Sequence, residues 1–198
     1  IERHDSLVLP TFREMVLSDY ARLRPNARPG WLGVIPLAPF STQLLASLFL
    51  RTQQCVVRSG HIRAAWLIRT VGASVTGADF VPGVEVGLGV MMTHPVGLVL
   101  GSGSRIGDNV TFAGGVALGV RSYDHRDAGA GQEEYPRIGD GVFLGAHAVV
   151  LGGVRVGDNA VIGANSVVRS DVAESSIVSG IPATHVGLRR APGEPTPL

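Results

Sequence analysis

The sequence predicts a mainly β protein, a parallel β-helix preceded by a short α-helical segment. Glycine is distributed unevenly, because only Gly30, Gly33 and Gly60 of the 27 glycines lie before residue 72. Aliphatic residues also recur every six positions from about residue 80 to 173. A period of six suits neither an α-helix nor a single strand, and hexapeptide repeats are typical of a β-helix. We therefore divide the chain into a helical segment (1–71), a β-helix (72–188) and a tail (189–198).

Composition and charge exclude several classes of function. Seventeen Lys and Arg balance sixteen Asp and Glu, so the net charge of +1 does not support nucleic-acid binding driven by bulk charge. The single cysteine, Cys55, cannot form an internal disulfide, and we expect a cytoplasmic protein. Residues 31–50 carry no charge, but Pro36 and Pro39 interrupt them. We expect a loop and a helix buried against a partner surface there, without membrane contact.

Three helices are predicted before the repeats. The pattern from Thr11 to Glu14 is a capping box, and it opens the first helix. An apolar stripe then follows at helical spacing and consists of Phe12, Met15, Val16, Tyr20 and Leu23. The second helix is predicted from Ser41 to about Arg58, and the third from His61 to Val71.

In the repeats, each group of six residues predicts one side of a triangular coil, and three sides close a coil of eighteen residues. The inward positions are assigned to Phe80, Val86, Met92, Leu98, Ile106, Phe112, Leu118, Ile138, Leu144, Val150, Val156, Ile162 and Val168. This assignment needs a two-residue insertion before Ile106. Between Leu118 and Ile138 fourteen further residues are inserted, and a loop of that length is often functional.

Five strings carry a resemblance to a known family: residues 79–82, 91–97, 136–142, 162–168 and 180–183. They resemble the hexapeptide-repeat acyltransferases, and among these the serine O-acetyltransferases, over roughly residues 72–188. The resemblance implies left-handed coils and a homotrimer with active sites at the subunit interfaces. It also implies acetyl-CoA or another acyl-CoA as donor, a small-molecule acceptor and no metal.

Acyl transfer to a hydroxyl needs a base for the hydroxyl proton and donors for the developing oxyanion. The resemblance implies that His94 is this base and that Asp79 orients its imidazole. The two residues are fifteen positions apart, which is close to one coil of eighteen. His147 faces outward by its register, so it either lines the donor groove or is a solvated wall residue.

The residues expected to bind the acceptor depart from the serine O-acetyltransferase pattern. Thr93 stands where that family has an acid, Glu134 and Tyr135 replace an Arg-His pair, and residues 24–27 lack a matching Asp. We expect Thr93, His125, Glu134 and Tyr135 to bind the acceptor. The cationic pair that would bind the carboxylate of serine is therefore missing at these positions. For this reason we expect a sugar or another small hydroxyl compound as the acceptor rather than serine.

Few side chains in the sequence identify the binding site of the acyl-CoA donor. The resemblance implies that backbone groups near Gly119, Ala146 and Ala164 hold the pantetheine arm, and Arg189 is a candidate for the nucleotide phosphates.

Three alternatives remain open. The first is a true serine O-acetyltransferase of cysteine biosynthesis. The second is a zinc enzyme like the γ-class carbonic anhydrases, which the wide spacing of His94, His125 and His147 argues against. The third is a non-catalytic scaffold, which the presence of both Asp79 and His94 argues against.

Overall fold

A computed structural model describes residues 9–26, 30–121 and 134–189 of the chain. The described residues begin with helices and continue as a triangular β-helix. The helices are α1 (Phe12–Leu23), α2 (Trp31–Leu37), α3 (Thr42–Arg58) and α4 (Ile62–Thr76), with a 3-10 turn at Ala38–Phe40. The predicted fold class, a left-handed parallel β-helix with an N-terminal helical segment, is confirmed.

Short strands form the three faces of the β-helix. Sheet 1 contains β1 (Asp79–Phe80), β4 (Val99–Leu100), β7 (Ala117–Gly119), β10 (Val149–Leu151) and β13 (Val167–Val168). Sheet 2 contains β2 (Glu85–Val86), β5 (Arg105–Ile106), β8 (Arg137–Ile138) and β11 (Arg155–Val156). Sheet 3 contains β3 (Met91–Met92), β6 (Thr111–Phe112), β9 (Phe143–Leu144), β12 (Val161–Ile162), β14 (Ser176–Gly180) and β15 (Ala183–Leu188). All pairs are parallel except β14 with β15.

The interior is a continuous column of side chains, to which each of the strands β1 to β13 contributes one inward apolar residue. All the predicted inward residues are buried, and their burial removes apolar surface from water along the whole axis. The predicted position of the two-residue insertion is wrong. Leu100 occupies the strand position in β4, whereas Leu98 is buried in the preceding turn, so the extra residues lie in the turn 93–98. That turn carries His94.

Three corners connect the sheets, and we name each by its polar side chains. The histidine corner joins sheet 3 to sheet 1 and comprises residues 93–98, 113–116, 145–148 and 163–166. The tyrosine corner joins sheet 1 to sheet 2 and contains Tyr135. The aspartate corner joins sheet 2 to sheet 3, and there Asp108, Asp140 and Asp158 each accept a backbone N–H from the preceding coil.

The helical segment differs from the prediction at two places. Helix α4 continues past Val71 to Thr76, and ends where Gly77 adopts a left-handed conformation (φ 72°). The β-helix strands therefore begin at Asp79 rather than at residue 72. Helix α2 was not predicted because it contains Pro36, which has no N–H to donate to the Leu32 carbonyl.

Helix α3 covers the open end of the first coil. Its Leu50 packs into the β-helix core, and its Gln53 and Gln54 donate to the carbonyls of Phe80 and Val86. These backbone groups would otherwise form an unpaired strand edge. Arg51 of the same helix also donates to backbone carbonyls of the first coil, so the helices and the first coil pack together as one unit.

No single helix among the described residues is long and apolar enough to cross a membrane. Residues 31–40 and α3 reach the required length and apolarity only as a pair bent by 113°.

Candidate active site

His94 lies on the enlarged turn of the histidine corner and is exposed. The turn is anchored on both sides of it. Gln43 of α3 donates to the Thr93 carbonyl at 2.7 Å, and the Gly97 N–H donates to the Gly77 carbonyl at 2.8 Å. The imidazole therefore stands on a fixed backbone and faces away from the core.

Asp79 starts sheet 1, on the same side of the β-helix. Its backbone N–H donates to the Leu98 carbonyl at 2.8 Å, so it lies beside the end of the His94 turn. Its half-buried carboxylate accepts two hydrogen bonds from Arg69 of α4, from Nε at 2.5 Å and from Nη2 at 2.6 Å. Among the described residues, no hydrogen bond joins Asp79 to His94.

Arg69 is a site residue that the sequence analysis missed. Its guanidinium lies 4.9 Å from the ring centre of Trp66, and the hydrogen bond with Asp79 raises the pKa of the guanidinium. A carboxylate offers about four lone-pair positions, so two remain for an imidazole N–H. No sequence signal could have found the pair, because it depends on how α4 packs beside sheet 1. Gln43 was missed for the same reason.

Two of the predicted donor-binding residues, Ala146 and Ala164, lie on the histidine corner with His94. The corner residues are stacked by backbone hydrogen bonds: the His147 N–H donates to the Gly114 carbonyl, and the Asn165 N–H to the Ala146 carbonyl. Each coil adds roughly 5 Å along the axis. A long, thin ligand that starts at His94 can therefore follow this corner across several coils.

The remaining acceptor and donor candidates lie on other corners of the chain. Glu134 is exposed at the tyrosine corner, and the Tyr135 ring packs there against Gly101 and Gly103. Gly119 ends β7 and opens onto the same corner. His125 lies outside the described residues. Thr93 remains with His94, so the acceptor residues are divided between two corners within one chain.

Arg189 lies at the third corner. Its guanidinium donates to the carbonyls of Gly141 and Asn159 at the aspartate corner, at 2.8 Å and 3.3 Å. The structure does not bring it together with Ala146 and Ala164. Its role in binding phosphate stays a prediction.

In the part of the chain that the structure describes, no group of three or more His, Cys, Asp or Glu side chains is arranged to hold a metal ion.

Comparisons with known proteins agree on one family. Residues 135–170 match the bacterial transferase hexapeptide family (six repeats). A crystal structure of the Neisseria gonorrhoeae serine acetyltransferase in complex with serine superimposes with a TM-score of 0.75 and 32% identity, covering 87% of this chain and 68% of that chain. The chain belongs to the hexapeptide-repeat acyltransferases. Within this family it is similar to the serine O-acetyltransferases, as the sequence indicated.

Other serine acetyltransferases show the same similarity. The Mycobacterium tuberculosis serine acetyltransferase is 38% identical over 122 residues, which are 61% of this chain and 51% of that protein. The Brucella abortus serine acetyltransferase in complex with coenzyme A has a TM-score of 0.78 and 26% identity, covering 89% of this chain and 68% of that chain. The chain spans about a third to a half of the length of the first curated relatives that it matches.

Proposed function

We propose that this protein transfers an acetyl group from acetyl-CoA to the hydroxyl of a small acceptor, with His94 as the general base. The observation that carries the proposal is the histidine corner. An exposed imidazole stands there on a turn whose last carbonyl, that of Leu98, accepts the Asp79 backbone N–H, and small residues, Ala146 and Ala164, continue along the same edge. Relatives with bound serine and bound coenzyme A support both substrate classes.

The reaction needs only groups that this corner offers. The His94 imidazole takes the hydroxyl proton as the hydroxyl oxygen attacks the thioester carbonyl carbon. The tetrahedral intermediate collapses, the carbon–sulfur bond breaks, and the imidazolium returns its proton to the thiolate. The products are the acetyl ester and free CoA. Asp79 stabilises the imidazolium and holds the ring in one orientation.

L-Serine is the first candidate acceptor. The similar proteins are serine acetyltransferases, so they favour serine over the non-serine acceptor expected from the sequence. A second candidate is a sugar or another small hydroxyl compound. Thr93 beside the base and the Tyr135 ring with Glu134 at the tyrosine corner favour it, because none of these side chains is a cation that could pair with a carboxylate.

We also propose a homotrimer with active sites between subunits. Thr93 and His94 lie on the histidine corner, whereas Gly119, Glu134 and Tyr135 lie on the tyrosine corner, so one chain holds two half-sites. A contact between two different surfaces of identical chains is heterologous, and it closes into a ring when the rotation allows. Three triangular prisms arranged around one axis would complete three sites.

The outer face between these corners supports the same assembly. Its outward residues after Asp79 are apolar: Val99, Ala117, Val149 and Val167. Sheet 2, by contrast, has charged outward residues: Glu85, Arg105, Arg137 and Arg155. An apolar face beside the half-sites is what a subunit interface requires, whereas the charged face suits solvent.

Steady-state kinetics with acetyl-CoA test the proposal, with L-serine, sugars and amino alcohols as acceptors and thiol release as the signal. A serine KM of about 1 mM or less with turnover of about 10 s⁻¹ or more would establish serine as acceptor. Turnover with another hydroxyl compound and not with serine would establish the second candidate. No thiol release with any acceptor across a series of acyl-CoAs would overturn the proposed reaction.

A further inference from the structure

The histidine corner contains one histidine with a left-handed backbone, at a position that glycine or asparagine occupies in the other coils. Its left-handed positions are Gly97, Gly115, His147 and Asn165, and Gly77 takes the corresponding position before β1. Among the described residues, the other non-glycine positions with positive φ are asparagines and one serine, so His147 (φ 57°) is the one with a ring. Left-handed backbone is costly for a side chain that bears a β-carbon, and such residues are frequent at functional sites. This position therefore warrants a functional explanation.

His147 and His94 border a gap made of glycine. A β-carbon at Gly114 would lie 3.3 Å from the His94 β-carbon, and a β-carbon at Gly115 would collide with the His147 imidazole. The two histidines therefore lie two coils apart, in the coil before and the coil after the Gly114–Gly115 turn. With roughly 5 Å per coil, their backbones are roughly 10 Å apart along the axis. The His94 β-carbon lies over Gly114 and the His147 ring lies over Gly115, so backbone without side chains separates the two histidines.

The fold leaves one direction for a long ligand that has its reacting end at His94. Toward the N-terminal end the corner is closed, because Gly77 ends α4 and a β-carbon at Gly77 would lie 3.3 Å from the Val96 side chain. Toward the C-terminal end the corner is a line of small residues interrupted by one large side chain, that of His147. An acyl-CoA whose thioester lies at His94 must therefore pass over Gly114 and Gly115 and meet His147.

We propose that His147 is a donor-positioning residue whose imidazole hydrogen-bonds the amide-bearing pantetheine arm of acyl-CoA. This inference rests on the proposed function and adds to it a side-chain contact on the donor. A neutral imidazole carries one N–H donor and one acceptor nitrogen, and an amide carries the complementary pair. His147 takes no proton from the acceptor and lies too far along the corner to replace His94.

Titration calorimetry with free CoA tests the contact without a turnover assay. The variant His147→Gly introduces the residue type found at Gly77, Gly97 and Gly115. It removes the ring and also removes the steric cost of the left-handed backbone. A matched control is Asn159→Gly at the aspartate corner. Asn159 has φ 56°, and its side chain lies over Gly141 as the His147 ring lies over Gly115. We expect His147→Gly to weaken CoA binding about tenfold, or about 1.4 kcal/mol. Asn159→Gly should stay within about twofold of the wild type.

Kinetics separate positioning from catalysis. With any acceptor that the wild type uses, His147→Gly should raise the KM for acetyl-CoA and leave kcat at saturating donor and the acceptor KM within about twofold. His147→Asn, which also tolerates the left-handed backbone, provides a second variant, and thermal unfolding shows that each variant is folded.

Equal CoA affinity of the wild type and both His147 variants would overturn this inference and leave the proposed function standing. A wild type that does not bind CoA at all would overturn the proposed function, and this inference with it.

Discussion

His94 is the side chain on which the proposed reaction depends most. It is exposed on a turn held by Gln43 and by the Gly77 carbonyl, so removing its imidazole should leave the fold intact. We expect His94→Ala to lower kcat/KM by roughly 10²–10⁴-fold, the usual contribution of a general base. We expect Asp79→Asn to lower it less, because that residue acts through the imidazole. The measurement is steady-state kinetics, with circular dichroism as a folding control, and near-native turnover of His94→Ala would show that the base is another group.

The ion pair between Arg69 and Asp79 should be detectable as a coupling between two substitutions. Each side chain is about a third exposed, so solvent screens the pair, but its two hydrogen bonds fix its geometry. We expect Arg69→Gln and Asp79→Asn each to destabilise the protein. Together they should cost less than their sum, by about 0.5–1 kcal/mol. Urea unfolding of the four proteins of the cycle measures this, and strict additivity would show that the pair contributes nothing.

Within the helical segment, Arg51 of α3 is a fully buried cation. Its guanidinium pairs with Asp19 of α1 and donates to Gln54 and to the carbonyls of Val86 and Gly87. It thus connects α1, α3 and the first coil. Removal of one partner leaves an uncompensated buried charge, so we expect Arg51→Met to cost about 3–5 kcal/mol. The exposed Arg63 of α4 is the matched control, and Arg63→Met should change the free energy of unfolding by less than about 0.5 kcal/mol. An equal effect of the two substitutions in urea unfolding would contradict this role.

The stability that the Glu14 carboxylate contributes at the start of α1 should decrease at acid pH. The Glu14 carboxylate accepts the Thr11 backbone N–H at 2.7 Å, and this hydrogen bond lowers the pKa of Glu14 below its ordinary 4.5. A lowered pKa contributes stability that is present above 4.5 and is lost as pH falls through the folded-state pKa. We therefore expect the difference in Tm between wild type and Glu14→Gln to be largest near neutral pH and to shrink below pH 4.5.

Thermal unfolding at a series of pH values measures this difference. The exposed Glu174, which caps no helix, provides a comparison as Glu174→Gln. A Tm difference for Glu14→Gln that stays constant with pH would show that the charge of the capping box does not matter.

At the scale of the whole molecule, the apolar outer face of sheet 1 should determine the assembly. We expect a mass of three times the 20.7 kDa of the chain by light scattering. Val99 is outward-facing and 37% exposed in the single chain, so Val99→Glu would place a charge in the proposed interface and should dissociate the trimer. Arg155→Glu, on the outer face of sheet 2, should leave it intact. A monomeric wild type would contradict the proposed assembly.

Helix α4, which precedes sheet 1 in the chain, also carries exposed apolar residues. They are Ile62, Trp66, Leu67, Val71 and Val75. The sequence analysis expected the uncharged stretch 31–50 to be buried against a partner surface. In the structure, however, Leu44 and Leu50 of this stretch are buried within the chain, whereas Leu32 and Phe40 remain exposed. The difference arises because α3 turns its apolar side toward α1 and the first coil.

The sequence by itself determined the β-helix and its core, because a six-residue period places the same side chain inward on every face, whatever surrounds it. It also determined α1 and α3, since caps and apolar stripes are local signals. The sequence did not determine the position of the two-residue insertion, because Leu98 and Leu100 are both aliphatic and only strand pairing decides which of them lies in β4. The tertiary structure alone decided that Arg69 holds Asp79, that His147 shares a corner with His94, and that Tyr135 lies on another. Each of these depends on distances between coils or between a helix and a sheet, and the order of residues along the chain does not specify such distances.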